Sequence, residues 1–230
     1  MKKKCIMIIA AAVAASLSAC VGNSSIAVPE ATTPVESTVA EAIDEPSTQS
    51  GANRPEDETI PEEKIDIDIS YCKDFDQVID KLAADMGYAE IKMGGTDVLL
   101  VTPGTFKGDD QGTRAATIAE VYWIDKDNNL KDGGHVRSGG TANPLTAAGD
   151  YIYASGHHYV KRYTLKDDSL MIDLEASEKF DEKGNVTYYL YSELRDVDAE
   201  ANGEVKDDSA LNDLNKEMWE ADIIGFTVKK

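Results

Sequence analysis

The chain is poor in cysteine, in basic residues and in long apolar runs, and each shortage excludes something. Only three cysteines occur in 230 residues, and Cys5 and Cys20 lie in the first twenty, so Cys72 stands alone in the rest. No disulfide can form within that remainder, and its fold has to rest on a hydrophobic core rather than on the cross-links of small secreted scaffolds. Basic residues number 23 against 43 acidic ones, a net charge of −20. A nucleic-acid binder needs a basic footprint to displace counterions from phosphates, so DNA and RNA are excluded as partners, and an anionic lipid surface repels such a chain. The longest uncharged apolar run, Cys5 to Ala15, is shorter than the ~20 residues that a bilayer-spanning helix needs. Aromatic residues are absent from Val21 to Glu63.

What stands at the start is organised. Lys2, Lys3 and Lys4 precede the apolar run, and small residues follow it, the three parts of an export signal that is removed on secretion. Leu17-Ser18-Ala19-Cys20 resembles the lipobox of bacterial lipoproteins. That resemblance implies cleavage after Ala19 and a diacylglyceryl group on the Cys20 thiol, with residues 1–19 lost as signal peptide. Two acyl chains hold stably where one holds marginally, since each buried methylene contributes about 0.8 kcal/mol. The expected location is the extracytoplasmic face of the cell membrane, with the lipid anchor as the membrane contact. Loss of Lys2, Lys3 and Lys4 leaves 20 basic residues against 43 acidic, a charge of −23.

Residues 20–63 read as the lipidated cysteine and a disordered acidic tether. Five of the seven prolines fall between Val21 and Glu63, and ten acids face Arg54 alone, so self-repulsion extends the segment. As a flexible coil it spans roughly 35 Å, and fully drawn out about 140 Å.

Residues 64–230 have the length of one domain. Asp74 with Gln77 three residues on caps a helix carrying Phe75, Val78, Ile79, Leu82 and Met86 at helical spacing until Gly87. The period then turns to alternation. Tyr88–Met93 and Thr96–Thr102 flank the hairpin turn Gly94-Gly95, and Pro103–Gly112 is too glycine-rich for regular structure. Strands follow over Thr117–Asp125, Leu130–Ser138, Tyr151–Ser155, His157–Leu165, Leu170–Ser177 and Val186–Glu193. A second helix from about Ser209 lines up Leu211, Leu214, Met218 and Ile223, and Ile223–Val228 returns as a short strand. The expected class is α+β, a single antiparallel meander sheet of about seven strands with both helices packed on one face.

Few residues stand in patterns that carry chemistry. Asp125, Asp127 and Asn129 begin like a calcium loop, but Leu130 stands where the glycine belongs and Val136 where the glutamate belongs, so a hairpin turn is expected. His135, His157 and His158 are the only histidines, and neighbours on a strand face opposite ways, so no metal site or cofactor is expected. Neither Gly-x-Ser-x-Gly nor Ser-x-x-Lys in a helical setting is present. One concentration stands out, Tyr151, Tyr153, His158, Tyr159 and Tyr163 with Arg162 among them, and all but Tyr163 are candidate ligand-binding residues. Tyrosine and arginine suit a recognition surface; strand propensity also selects tyrosine, and Tyr159 with Tyr163 is the pair expected to pack beneath a helix.

Gly95-Thr96-Asp97-Val98-Leu99-Leu100-Val101 and the tyrosine-rich stretch Gly149-Asp150-Tyr151-Ile152-Tyr153-Ala154-Ser155-Gly156, behind a lipobox and an acidic Ser/Thr/Pro/Glu tether, resemble uncharacterised surface lipoproteins of Gram-positive gut bacteria. The resemblance implies no established activity. The expected function is a non-catalytic binding module facing the cell wall, its ligand an envelope component, a peptide or a glycan. Two alternatives stay open: a hydrolase whose site assembles only in the fold, and an assembly factor for exported proteins with an exposed apolar groove.

Overall fold

The computed structural model describes residues 65, 67–194 and 202–230. The signal segment, Ala19, Cys20 and the tether to residue 63 lie outside the described residues. In chain order the elements are α1 (Phe75–Asp80), β1 (Gly87–Met93), β2 (Thr96–Thr102), β3 (Phe106–Lys107), β4 (Arg114–Ala115), β5 (Ile118–Ile124) and β6 (Leu130–Arg137). Then come β7 (Thr146–Ala148), β8 (Tyr151–Ser155), β9 (Tyr159–Lys166), β10 (Ser169–Phe180), β11 (Val186–Tyr191), β12 (Gly203–Val205), α2 (Ser209–Glu220), β13 (Asp222–Ile223) and β14 (Thr227–Val228).

The class is α+β as expected, but the single meander is not. The strands form a five-stranded sheet, β14-β1-β2-β5-β6, a seven-stranded sheet, β12-β11-β10-β9-β8-β7-β13, and the small ribbon β3-β4. Only β7 to β12 run as an unbroken meander. The reason is visible in β2 and β5, where Val98 to Thr102 and Ile118 to Trp123 are buried residue after residue. Such strands are covered on both faces, which one sheet with one dry face cannot provide.

The two larger sheets face each other. Met93, Val98, Leu100, Val121, Trp123 and Val136 from one share a core with Ile152, Ala154, Tyr163, Leu165 and Ile172 from the other. Nor do the helices share a face. On the outside of the five-stranded sheet Leu99, Val101 and Tyr122 meet Val78, Leu82 and the alternating Ile65, Ile67 and Ile69 ahead of α1. On the outside of the seven-stranded sheet Tyr153, Val160 and Ala176 meet Leu211, Leu214 and Met218 of α2. The order of layers is therefore helix, sheet, sheet, helix, and the alternation within each strand assigns one set of side chains to the shared core and the other to a helix.

Local signals set the elements. Asp74 accepts from the Gln77 backbone N–H at 2.9 Å while the Gln77 side chain accepts from Lys73 N–H, so the start of α1 is capped from both sides. Gly94 and Gly95 both take positive φ, +56° and +79°, the pair of values that a two-residue turn of type I′ requires. The expected terminal strand divides in two: β13 pairs with β7 and β14 with β1, so the chain end ties the two sheets together.

Candidate functional site

Three of the five candidate residues meet beneath α2. Tyr151 and Tyr153 alternate with the core residues Ile152 and Ala154 along β8, and Arg162 lies directly across from Tyr153 on β9. The Tyr153 hydroxyl donates to Glu217 of α2 at 3.2 Å, and the residue is only 4% exposed. Arg162 donates to Glu217 at 2.5 Å and through Nε to Asp173 at 2.6 Å, with its guanidinium 4.7 Å from the centre of the Tyr151 ring. Asp173 reaches that place because β10 shifts register between Ile172 and Leu174, a bulge that turns its carboxylate toward Arg162. Burial first, then the Glu217 carboxylate, raises the Tyr153 phenol above its ordinary pKa. These side chains clamp a helix to a sheet, and their donors and acceptors point into the clamp.

Tyr159 and Tyr163 lie on the opposite, inner face and not beneath a helix, because they alternate along β9 with Val160 and Arg162, which face α2. The Tyr159 ring sits 4.8 Å from Lys161 Nζ, and Lys161 faces Glu175 across β9 and β10, both about as buried as the core at 5% and 6% exposure. Tyr191 lies across from Glu175 in turn. Opposite charges directly across a ladder favour that register, and within a core a one-residue slip would strand both. This row pins the seven-stranded sheet at the edge of the shared core.

His158 belongs to a third environment. β9 pairs with β10 as far as Ser177, opposite Tyr159, and one further bond runs from the Glu178 backbone N–H to the His158 carbonyl, so Lys179 and Phe180 pair with β11 alone and the hairpin projects past its neighbour. At its tip Phe180 lies across from Val186, and they are 56% and 38% exposed. The His158 ring meets Phe180 edge-on at 5.4 Å, and its Nδ1 lies 3.2 Å from Glu178 Oε1. Tyr188 is across from Glu178. Desolvation, then the carboxylates of Asp208, Glu178 and Asp207, raise the Tyr188 phenol above its ordinary pKa. On the hairpin's other face Lys179 Nζ is 5.8 Å from the Tyr189 ring.

Sequence reasoning missed Phe180, Val186 and Tyr188, although a signal was there. Asp181-Glu182-Lys183-Gly184-Asn185 is a tight turn, and large apolar residues stand immediately on either side of it, where a solvent-exposed hairpin end usually carries polar ones. The turn recurs. Asp181 accepts from the backbone N–H of Lys183 and Asn185, Asp125 from those of Asp127 and Asn129, and Asp109 from that of Thr113. The fourth residue, Gly184, Asn128 or Gly112, takes positive φ each time. The Asp125 carboxylate is thus filled by its own loop and by Lys131 at 3.0 Å, as the hairpin reading expects. Among the described residues no group of three or more His, Cys, Asp or Glu is placed to hold a metal ion.

Other exposed aromatics stand singly, Tyr71 ahead of α1 and Trp219 on α2. The projecting hairpin with His158 is the one place where large exposed apolar residues adjoin one another among the described residues, and it is the candidate contact surface. No family model matches this chain, and no curated protein or solved structure matches it.

Proposed function

We propose that this chain is a lipid-anchored, extracytoplasmic binding module, tethered through Cys20 and presenting the β10–β11 hairpin to an envelope ligand, a peptide or a glycan. Kinship with the surface lipoproteins of Gram-positive gut bacteria belongs to the same proposal. Anchoring is supported by Lys2 to Lys4, the short apolar run and Leu17-Ser18-Ala19-Cys20, followed by an acidic spacer. Among the described residues no helix is long and apolar enough to cross a membrane. The observation that carries the binding role is the exposed pair Phe180 and Val186 at the end of a hairpin that outruns its sheet. Neither residue contributes to any of the three cores. Phe180 keeps 56% of its surface in water, which forgoes roughly half of the ~1.5–3 kcal/mol that full burial contributes and which a contact surface recovers on binding.

The test uses the full chain expressed in a Gram-positive host. Wild type sediments with membranes, Cys20→Ala is released, and Phe180→Ser stays membrane-bound but no longer retains the envelope component captured by wild type. Capture unchanged by Phe180→Ser, or turnover of a peptide or glycan library by the purified chain, contradicts the proposal.

A further inference from the structure

The outer face of the projecting hairpin combines two chemistries. Phe180, Val186 and the ring of Tyr188 form an apolar surface; Glu178 lies directly across from Tyr188 on one side, and on the other lies Val205 of β12, from which the chain runs on to Asp207 and Asp208. Asp207 accepts from the backbone N–H and the hydroxyl of Ser209. Lys179 projects to the other face toward Tyr189, and His158 lies against Glu178. An aromatic face attracts a cation through its quadrupole, and carboxylates beside it add to that attraction while the aliphatic stem of a lysine or arginine packs on the apolar neighbours.

Charge decides among the occupants. A second copy of the chain brings another −20, and an anionic lipid surface is repelled in the same way. A neutral glycan stacks on rings and donates hydroxyls to carboxylates, but it gains nothing from the long-range field of the acidic domain. A basic polypeptide answers both halves of the surface. Resting on the binding-module reading above, we infer that the hairpin's outer face docks a basic segment of another envelope protein, seating a lysine or arginine side chain against Tyr188 and the adjoining apolar residue against Phe180 and Val186. Long-range attraction from the acidic domain raises the encounter rate, and the Phe180 contact sets how long the complex lasts.

The experiment measures binding of an alternating Lys-Leu peptide to the full chain, beside an alternating Glu-Leu peptide, anionic vesicles and soluble glycan strands. The Lys-Leu peptide is expected to bind, with affinity falling as salt is raised to about 0.5 M. Phe180→Ser is expected to weaken it about tenfold or more, and Glu178→Gln and Asp208→Asn about threefold each. Glu90→Gln, which removes an exposed acid from the other sheet, is expected to change affinity by less than about twofold. Circular dichroism of each variant checks that the fold is kept. Equal losses for Glu90→Gln and Glu178→Gln, or none for Phe180→Ser, overturn the inference by showing unspecific attraction. Phe180-dependent binding of the glycan strands without the peptide overturns this inference alone and leaves the binding module standing, whereas no Phe180-dependent binding of any probe or of envelope material removes both.

Discussion

Replacing Arg162 by alanine tests whether the tyrosines of β8 serve the fold. The guanidinium donates to Asp173 at 2.6 Å and to Glu217 at 2.5 Å, and the Arg162 and Asp173 side chains are only 19% and 17% exposed. A hydrogen bond to a charged group contributes about 1.5–3 kcal/mol, and the bond to Glu217 belongs at or below the lower end because that carboxylate is half in water. Arg162→Ala also leaves Asp173 without its counter-charge and uncovers the Tyr151 ring, so a loss of about 3 kcal/mol is expected. In a domain of this size that lowers Tm by about 6–12 °C, read by circular dichroism. Tyr153→Phe deletes one 3.2 Å bond and is expected to cost less than about 1.5 kcal/mol. In the double variant the two losses should fall short of their sum, because both groups act on Glu217. An Arg162→Ala loss no larger than that of Tyr153→Phe refutes the clamp.

Three further outcomes follow from packing and protonation. Alanine at Gly94 places Cβ 2.2 Å from the Leu165 carbonyl oxygen, whereas at Gly95 nothing lies within 4 Å, so by urea titration the first should cost at least about 2 kcal/mol more although both positions take positive φ. Leu214→Ala opens a cavity beneath α2, where the side chain is 1% exposed, and is expected to cost about 2–5 kcal/mol, with protection lost over residues 209–220 in hydrogen exchange. The bonds from Asn129, together with Lys131, hold Asp125 below the usual carboxylate range; Thr113 does so for Asp109, and Asn185 for Asp181. A depressed carboxylate stabilises the fold above its unfolded pKa of about 3.9, and that contribution disappears as pH falls through the folded value. Tm should therefore decline steadily below about pH 4, and less so in a variant with Asp125→Asn, whose side chain does not titrate.

Local order was legible in the chain, and its partition into layers was not. The Asp74 and Gln77 cap, the Gly94-Gly95 turn and the strands Thr96–Thr102 and Tyr151–Ser155 stand where side-chain chemistry alone puts them. α1 ends at Asp80 rather than running on to Met86, because Leu82 and Met86 reach the same apolar cluster from the turn that follows. Alternation tells which side chains share a face, but not which of two sheets a strand joins. Hence β6 and β7, near neighbours in sequence, lie in different sheets, and the terminal segment divides between both. The unbroken apolar run Val98-Leu99-Leu100-Val101 was the available warning. At the site, composition drew attention to five residues whose side chains the fold sends to three places. Arg162 with Tyr151 and Tyr153 goes under α2, Tyr159 goes to the inner face, and His158 goes to the hairpin. No periodicity in one strand reveals that β10 outruns β9, since that depends on where a neighbouring strand stops.

The most direct test of the hairpin as contact surface is hydrogen exchange on the full chain with and without solubilised envelope material. Protection gained over residues 178–188 and His158, with the backbone of β8 and of α2 unchanged, is the predicted result. Protection centred on β8 and α2, with the hairpin exchanging as it does in the free protein, contradicts it.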